Sequence, residues 1–476
     1  MNKINVFRRL IGPMLMTAAL TACTVGPDYK VPSSAAFNTP AAQGSFVSGN
    51  NAALSSDQLP SQWWHMYDDP KLDAYIAQAL KANTDLRVAQ ANLERSYAEL
   101  KSVRTEKQPS VSFNGQLEYT QESGEQYLQP VRPPVATDYQ AGLTVGYDLD
   151  LFGGIRRGIE ASTADSQAVL AARDLVRVNV VAETTRAYVD ACGYGLELQA
   201  AKNTLALQQQ SLALTSQLMQ GGRAMDVDVT RSRQLVDQTR ESVPALQAAQ
   251  RNALYRLATL MGKPPADYAA DLEQCTAPPR LTRPLPIGDG TAMLKRRPDI
   301  REAERQLAAA TANIGVATAA LYPDVAIGAS AGSAGSAADG FSAPTNFWGL
   351  GLVVNWQINR NAARARIGAA QATAKGALAN FDGVVLGALQ DTESSLNVYT
   401  HDLQREASAQ ASRDDAAQAE QETERLFAGG RATSLELVDA QRTLASAELS
   451  LAQVKVAISD DQTNVFLALG GGWENR

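Results

Sequence analysis

The feature that most constrains this chain is a duplication. Residues 83–113 align without a gap on residues 297–327, so that Asp85, Leu86, Arg87, Ala89 and Pro109 fall on Asp299, Ile300, Arg301, Ala303 and Pro323. Farther along, Gly221-Gly222-Arg223-Ala224 falls on Gly429-Gly430-Arg431-Ala432, and Leu260-Met261-Gly262 on Ala468-Leu469-Gly470. Copies of about 190 residues mean a duplicated unit, since solenoids repeat every 20–50 residues. Whatever this chain folds into must be built from one plan used twice.

Each copy has the same order. A helix over about 72–107, or about 291–321, runs to a proline, and two strands follow. A very long helix comes next, about 153–220 and about 361–428, ending at Gly-Gly-Arg. A helix of about 38 residues closes the copy. At about 1.5 Å per residue the long helices reach roughly 100 Å, and the two shorter ones together match that length. Each long helix is therefore expected to pack against two short helices in tandem. Leu198, Leu205, Leu212 and Met219 recur every seven residues, which predicts a left-handed coiled-coil seam near the Gly-Gly-Arg end.

The strands alternate strictly. In 110–119, Val111, Phe113, Leu117 and Tyr119 alternate with Ser112, Asn114, Gln116 and Glu118. The same pattern fills 140–151, 324–332 and 347–358, the last with Trp348, Leu350, Leu352, Val354, Trp356 and Ile358 on its apolar side. Runs of about ten residues with period two suit outer-membrane strands, apolar toward lipid and polar toward the lumen. Four strands cannot close a barrel, and an open edge in lipid leaves backbone groups unpaired at several kcal/mol each. Three subunits would supply twelve strands under closed cyclic symmetry. The expected fold class is mixed α and membrane β: a long α-helical coiled-coil barrel plus a 12-stranded transmembrane barrel formed by a trimer, four strands per chain.

The first residues set the compartment. Lys3, Arg8 and Arg9 precede a short apolar run over 10–20, followed by Leu20-Thr21-Ala22-Cys23. This is a secretory signal, and its end resembles the bacterial lipobox. That resemblance implies a lipid on the Cys23 sulfur, cleavage before it and acylation of the new amino terminus. Several acyl chains on one residue give firm anchoring where a single chain is marginal. Thr24 is not the Asp associated with inner-membrane retention, so the outer membrane is the expected destination. Removing the signal takes three positive charges from a formal −7, leaving −10, and no basic patch suggests a nucleic-acid partner. Cys192 lies in a helical pattern and Cys275 in a Pro-flanked linker. An oxidising compartment would permit a disulfide between them, but the sequence does not show one, and they are read as two unpaired thiols.

The expected boundaries are a signal peptide over 1–22, a lipidated extension over 23–71, the first repeat over 72–262, a linker over 263–290, the second repeat over 291–472 and a tail over 473–476.

At this point the chain resembles the outer-membrane factors of tripartite efflux systems, the TolC-like family, in the lipoprotein branch that serves resistance–nodulation–division pumps. The residues carrying the resemblance are Gln62-Trp63-Trp64 with Asp69-Pro70, then Asn83, Asp85-Leu86 and Ala89. Arg296-Arg297-Pro298-Asp299-Ile300, Leu437-Val438-Asp439-Ala440-Gln441-Arg442 and Ala468-Leu469-Gly470-Gly471-Gly472-Trp473 complete it. It implies a homotrimer, a periplasmic adaptor and an inner-membrane pump as partners, and a passive duct with no catalysis and no cofactor beyond the lipid on Cys23. The second copy departs from the family at Ile358-Asn359-Arg360-Asn361, where the first has Leu149-Asp150-Leu151-Phe152-Gly153-Gly154. The alternatives are an exit duct for protein secretion and a structural periplasmic coiled-coil lipoprotein.

The resemblance also places an acidic constriction just after the second Gly-Gly-Arg turn, at Glu436 and Asp439. Three residues apart, they share a helix face, and a ring of such carboxylates in a trimer favours cations. Asp228 is the matching acid in the first copy, and Arg431 is placed to pair with it and hold the mouth shut. Enzymatic readings fall away. Gly328-Ala329-Ser330-Ala331-Gly332 mimics a nucleophile elbow but continues an alternating strand, where the elbow needs a strand-to-helix turn. The two histidines, His65 and His401, and the scattered cysteines have no metal-site spacing.

Overall fold

A computed structural model describes residues 24–128 and 130–472, with the backbone alone at 126 and 127. The expected signal peptide, Cys23 and the 473–476 tail lie outside the described residues. Helices α1 (Pro70–Ala82) and α2 (Thr84–Thr105) lead to strands β1 (Ser110–Thr120) and β2 (Ala136–Asp148). Helices α3 (Gly154–Gln220) and α4 (Asp226–Leu260) end the first copy. The second copy repeats this as α5 (Gly290–Arg296), α6 (Pro298–Ala319), β3 (Asp324–Ser336), β4 (Asn346–Asn355), α7 (Asn361–Ala428) and α8 (Ser434–Ala468).

The chain divides into two compact units, each taking elements from both copies. One comprises Met1–Pro32, Leu93–Val169 and Glu302–Phe381, the other Ser33–Asn92, Leu170–Arg301 and Asp382–Arg476.

The first unit holds a four-stranded antiparallel sheet in the order β1-β2-β3-β4. Its register pairs Val111 with Val145, Val145 with Ala329 and Ala329 with Leu350. Because side chains alternate along a strand, that register lines the apolar residues of all four strands on one face. The face is bare in the single chain: Phe113 is 69% and Trp348 83% exposed. The outer edges of β1 and β4 have no partner strand among the described residues. Gly328–Gly332 lies inside β3, with no strand-to-helix turn at Ser330.

The strands end earlier than the alternation suggests, at Asp148 and Asn355. Asp150 stops the first by turning left-handed, at φ 44°. Its carboxylate then caps α3, accepting from the backbone N–H of Ile155 (2.8 Å) and Arg156 (3.0 Å). In the second copy Asn359 accepts from the N–H of Asn361 at 3.2 Å, a shorter-range cap where Phe-Gly-Gly is missing.

The second unit contains the aromatic core. Trp63 stacks on Phe466 at 4.4 Å between centroids, with Tyr67 edge-on to both. Leu72, Ile76, Leu254, Leu257, Met293 and Leu294 are buried. The Asp69-Pro70 pair starts α1: Pro70 fits the first helical position, and Asp69 accepts from the N–H groups of Lys71 and Leu72.

Two expectations for the helices need correction. The first helix of each copy is broken, at Asn83 and at Arg297. Asn83 leaves the helix and caps the next one through Asp85 N–H (2.9 Å) and Leu86 N–H (3.1 Å). Arg297 precedes Pro298, which disfavours helical backbone before it. Both breaks serve as splices. Asn83 Nδ2 donates to the Leu260 carbonyl at the end of α4 (3.1 Å), and Arg297 Nη1 donates to the Ala468 carbonyl at the end of α8 (2.8 Å). The expected tandem of short helices is built there, each joint satisfying a carbonyl that a helix end leaves orphaned.

The cysteines are also corrected. Cys192 and Cys275 form a disulfide, with Cα atoms 4.7 Å apart. The linker around Cys275 lies close against α3: a Cβ on Gly195 would meet the Cys275 carbonyl oxygen at 1.9 Å. Gln250 Nε2 bridges the Ala191 and Glu273 carbonyls at 3.2 Å each. Two cysteines 83 residues apart gave no local sign of this approach.

Candidate gate at the Gly-Gly-Arg turns

The turns after α3 and α7 are built alike. Gly222 (φ 73°) and Gly430 (φ 70°) are left-handed, and a Cβ at either would meet nothing within 4 Å. Backbone conformation rather than crowding therefore selects glycine. Arg223 N–H donates back to the Leu218 carbonyl and Arg431 N–H to the Leu426 carbonyl, both at 2.8 Å. These six-to-one bonds complete paired Schellman ends.

The acids behind the turns begin the return helices. Glu436 closes a capping box: its Oε2 accepts from Thr433 Oγ1 at 2.9 Å, while Glu436 N–H donates to Thr433 Oγ1 at 3.3 Å. Its second carboxylate role, accepting the Thr433 N–H (2.6 Å), is the reciprocal bond of that motif. These hydrogen bonds hold the Glu436 carboxyl below the usual carboxylate range. At α4 Asp228 makes only the reciprocal bond of that motif, its Oδ2 accepting the Met225 N–H at 3.0 Å. Asp439 is exposed and paired with Arg442 one turn on, at 2.6 Å.

Glu436 and Asp439 thus lie in the first two turns of α8, each with a local partner. Within the chain no ion pair joins Asp228 to Arg431 among the described residues.

Before its Gly-Gly-Arg turn, the side of α3 that packs against its neighbours is not the leucine row. Thr204, Gln208, Ser211 and Thr215 are buried, while Leu205, Leu212 and Met219 are only half-buried and Leu198 alone of that row is in the core. The buried positions still step by four and three, so the heptad period is right and the chemistry is polar. Gln441 Nε2 donates to Ser211 Oγ and to Glu420 Oε1 (3.3 Å), and Thr204 Oγ1 donates to Glu448 at 3.3 Å. Both side-chain amide atoms of Gln208 are buried without a protein partner. A groove of about 530 Å³ runs beside this seam between α3, α4 and α8, lined by Thr204, Gln208, Ser242, Arg442 and Gln453 among others. Hydropathy hid the seam, because hydroxyls and amides count as surface.

The model of the outer membrane efflux protein family matches residues 75–263 and 291–471. The chain belongs to that family. Nodulation protein T of Rhizobium leguminosarum bv. trifolii is 26% identical over 460 residues, covering 95% of both chains. The probable efflux pump outer membrane protein TtgC of Pseudomonas putida is 29% identical over 486 residues, covering 96% of each. Among solved structures, the outer-membrane channel OprN superposes with a TM-score of 0.88 at 34% identity, covering 95% of this chain and all of that one. The function of this chain is therefore that of an outer-membrane efflux channel.

Proposed function

We propose that three copies of the chain close one 12-stranded barrel and form a passive exit duct for small molecules in a tripartite assembly. A periplasmic adaptor and an inner-membrane resistance–nodulation–division pump would complete the path, the pump supplying the energy, and the chain itself would catalyse nothing. The observation that carries this is the sheet. It has two unpaired edges and one continuous apolar face, and in lipid such a sheet must be closed by other strands. A lipid on Cys23 would anchor each copy in the outer membrane. Reconstitution into planar bilayers tests the duct: stepwise conductance is expected, and its absence from folded, oligomeric protein refutes it. Co-purification with an adaptor and such a pump is expected, whereas recovery with a secretion ATPase would assign the duct to protein export.

At the mouth, Glu436 and Asp439 of three copies would gather six carboxylates and favour cations. Asp228 and Arg431 would pair between neighbouring subunits in the closed state. Exposed pairs contribute about 0–1 kcal/mol each, so a partner can break three of them cheaply. Alanine at both positions should raise open probability, and unchanged closed lifetimes would remove these residues from the gate.

A further inference from the structure

The residues just after Cys23 are held more firmly than an exposed tether requires. Arg157, near the start of α3, has a side chain only 5% exposed. Its guanidinium gathers four acceptors. Nε donates to the Val25 carbonyl (3.1 Å), Nη2 to the Gly26 carbonyl (3.2 Å) and to Asp28 Oδ1 (2.7 Å), and Nη1 to Glu160 Oε2 (2.7 Å). Three of the four belong to residues 25–28, and a planar fork is suited to such convergent binding. Gly26 is left-handed, and a Cβ on it would sit 2.4 Å from the Gly315 Cα of α6, so the segment lies directly on that helix. Tyr29 Oη donates to Glu304 at 3.0 Å, and Arg305 covers the ring at 5.6 Å. Val25 N–H donates to the Phe152 carbonyl at 3.2 Å.

Phe152 marks a particular level. It follows β2, and its ring stacks on Tyr322, which precedes β3, at 4.5 Å. Trp356 follows β4, donates Nε1–H to the Leu321 carbonyl (3.2 Å) and carries the Arg360 guanidinium over its ring at 5.2 Å. These aromatics cluster at the end of the sheet where the strands join the helices, with Tyr322 40% and Trp356 44% exposed. Rings with one polar edge, at the rim of an apolar sheet face, form the girdle at a lipid–water boundary.

We propose that Thr24–Tyr29 is a strap, clamped by Arg157, that registers the lipid-bearing residue before it to the aromatic girdle, so that the acyl chains enter the lipid beside the sheet. Arg157 is a positioning residue. The inference rests on the lipid-anchor reading of Cys23 given above. Consecutive Cα atoms are about 3.8 Å apart, so residue 23, two positions before Val25, is tethered with its Cα within about 8 Å of the first clamped residue.

The test uses the full-length chain in open outer-membrane fragments, where protease reaches the periplasmic face. Lys30 directly follows the strap and is exposed, so trypsin cleavage at Lys30–Val31 reports the undocked fraction. Asp28→Ala removes only a carboxylate that is 85% exposed and should quicken cleavage about tenfold, as the open population sets the rate. Arg157→Ala should quicken it further, with Arg157→Lys between the two. Equal rates in wild type and all three variants overturn the clamp. A six-residue Gly-Ser insert between Cys23 and Thr24 lets residue 23 wander about 13 Å. It should lower the yield of assembled trimer several-fold while leaving Lys30 protected. Wild-type yield with Cys23 lipidated, by mass spectrometry of the N-terminal peptide, overturns the registration alone. An unmodified Cys23 overturns the anchor reading, and the registration with it.

Discussion

Replacing Cys192 and Cys275 together by alanine tests the linker clamp quantitatively. The bond closes a loop of 83 residues. In the chain-entropy model that constraint on the unfolded state contributes about 4.5 kcal/mol at 25 °C. The unit that contains both cysteines has about 290 residues. At about 2.1 cal/mol/K per residue its unfolding entropy is about 0.6 kcal/mol/K, so the loss should lower its melting temperature by about 7 °C. Circular dichroism of the detergent-solubilised protein gives the number. Reductant should reproduce the shift in wild type and leave the double variant unchanged. A double variant melting within 1 °C of wild type would refute the entropic reasoning. It would mean that Gln250 and the close contact at Gly195 hold the linker without help.

The remaining expectations are briefer. Thr433→Ala removes the hydroxyl half of the capping box and should cost about 1 kcal/mol, read as faster amide exchange in the first turn of α8; unchanged exchange excludes the cap. Gln208→Met replaces two unpartnered amide atoms by a thioether and should stabilise by about 1–3 kcal/mol, and a lower denaturation midpoint would show that the amide is satisfied. Burial pushes the carboxyls of Asp460 and Asp461 up to about 7, helped by Asp190 for the first and Asp402 for the second. An acid whose folded value lies above its unfolded value weakens the fold when it ionises. Stability should therefore be highest below about pH 4, fall up to about pH 7 and level off for this pair. Asp461→Asn should flatten that slope, and an unaltered urea midpoint profile between pH 4 and 8 would contradict the assignment.

Features with a period were legible in the sequence. The duplication, the two helices of 67 and 68 residues and the alternating strands all follow from spacings that a single chain displays. The Thr433-to-Glu436 box was also on view as a Thr-x-x-Glu helix start, but Glu436 was first read for its charge. Cys192 with Cys275, Arg157 with residues 25–28, and Arg297 with the Ala468 carbonyl were not legible. Each joins residues far apart in sequence, and no local pattern specifies a long-range partner. The splices explain why Asn83 and Arg297-Pro298-Asp299 recur at matched places: a helix end needs a donor there. The leucine row misled because the period was correct while the buried side belonged to its polar neighbours.

The polar seam has a mechanical consequence. Leucine knobs resist displacement, since each sits in one shaped hole. Hydroxyls turn, and Gln441 already reaches both Ser211 and Glu420, so small slips exchange one acceptor for another at little cost. The same unit is stiff where Trp63 and Phe466 stack and yielding toward the turns after α3 and α7. On these contacts it would act as a clamped spring whose free end is soft along its own axis. A force applied at the turns would be taken up by the hydroxyl rows, while the aromatic end would keep its place.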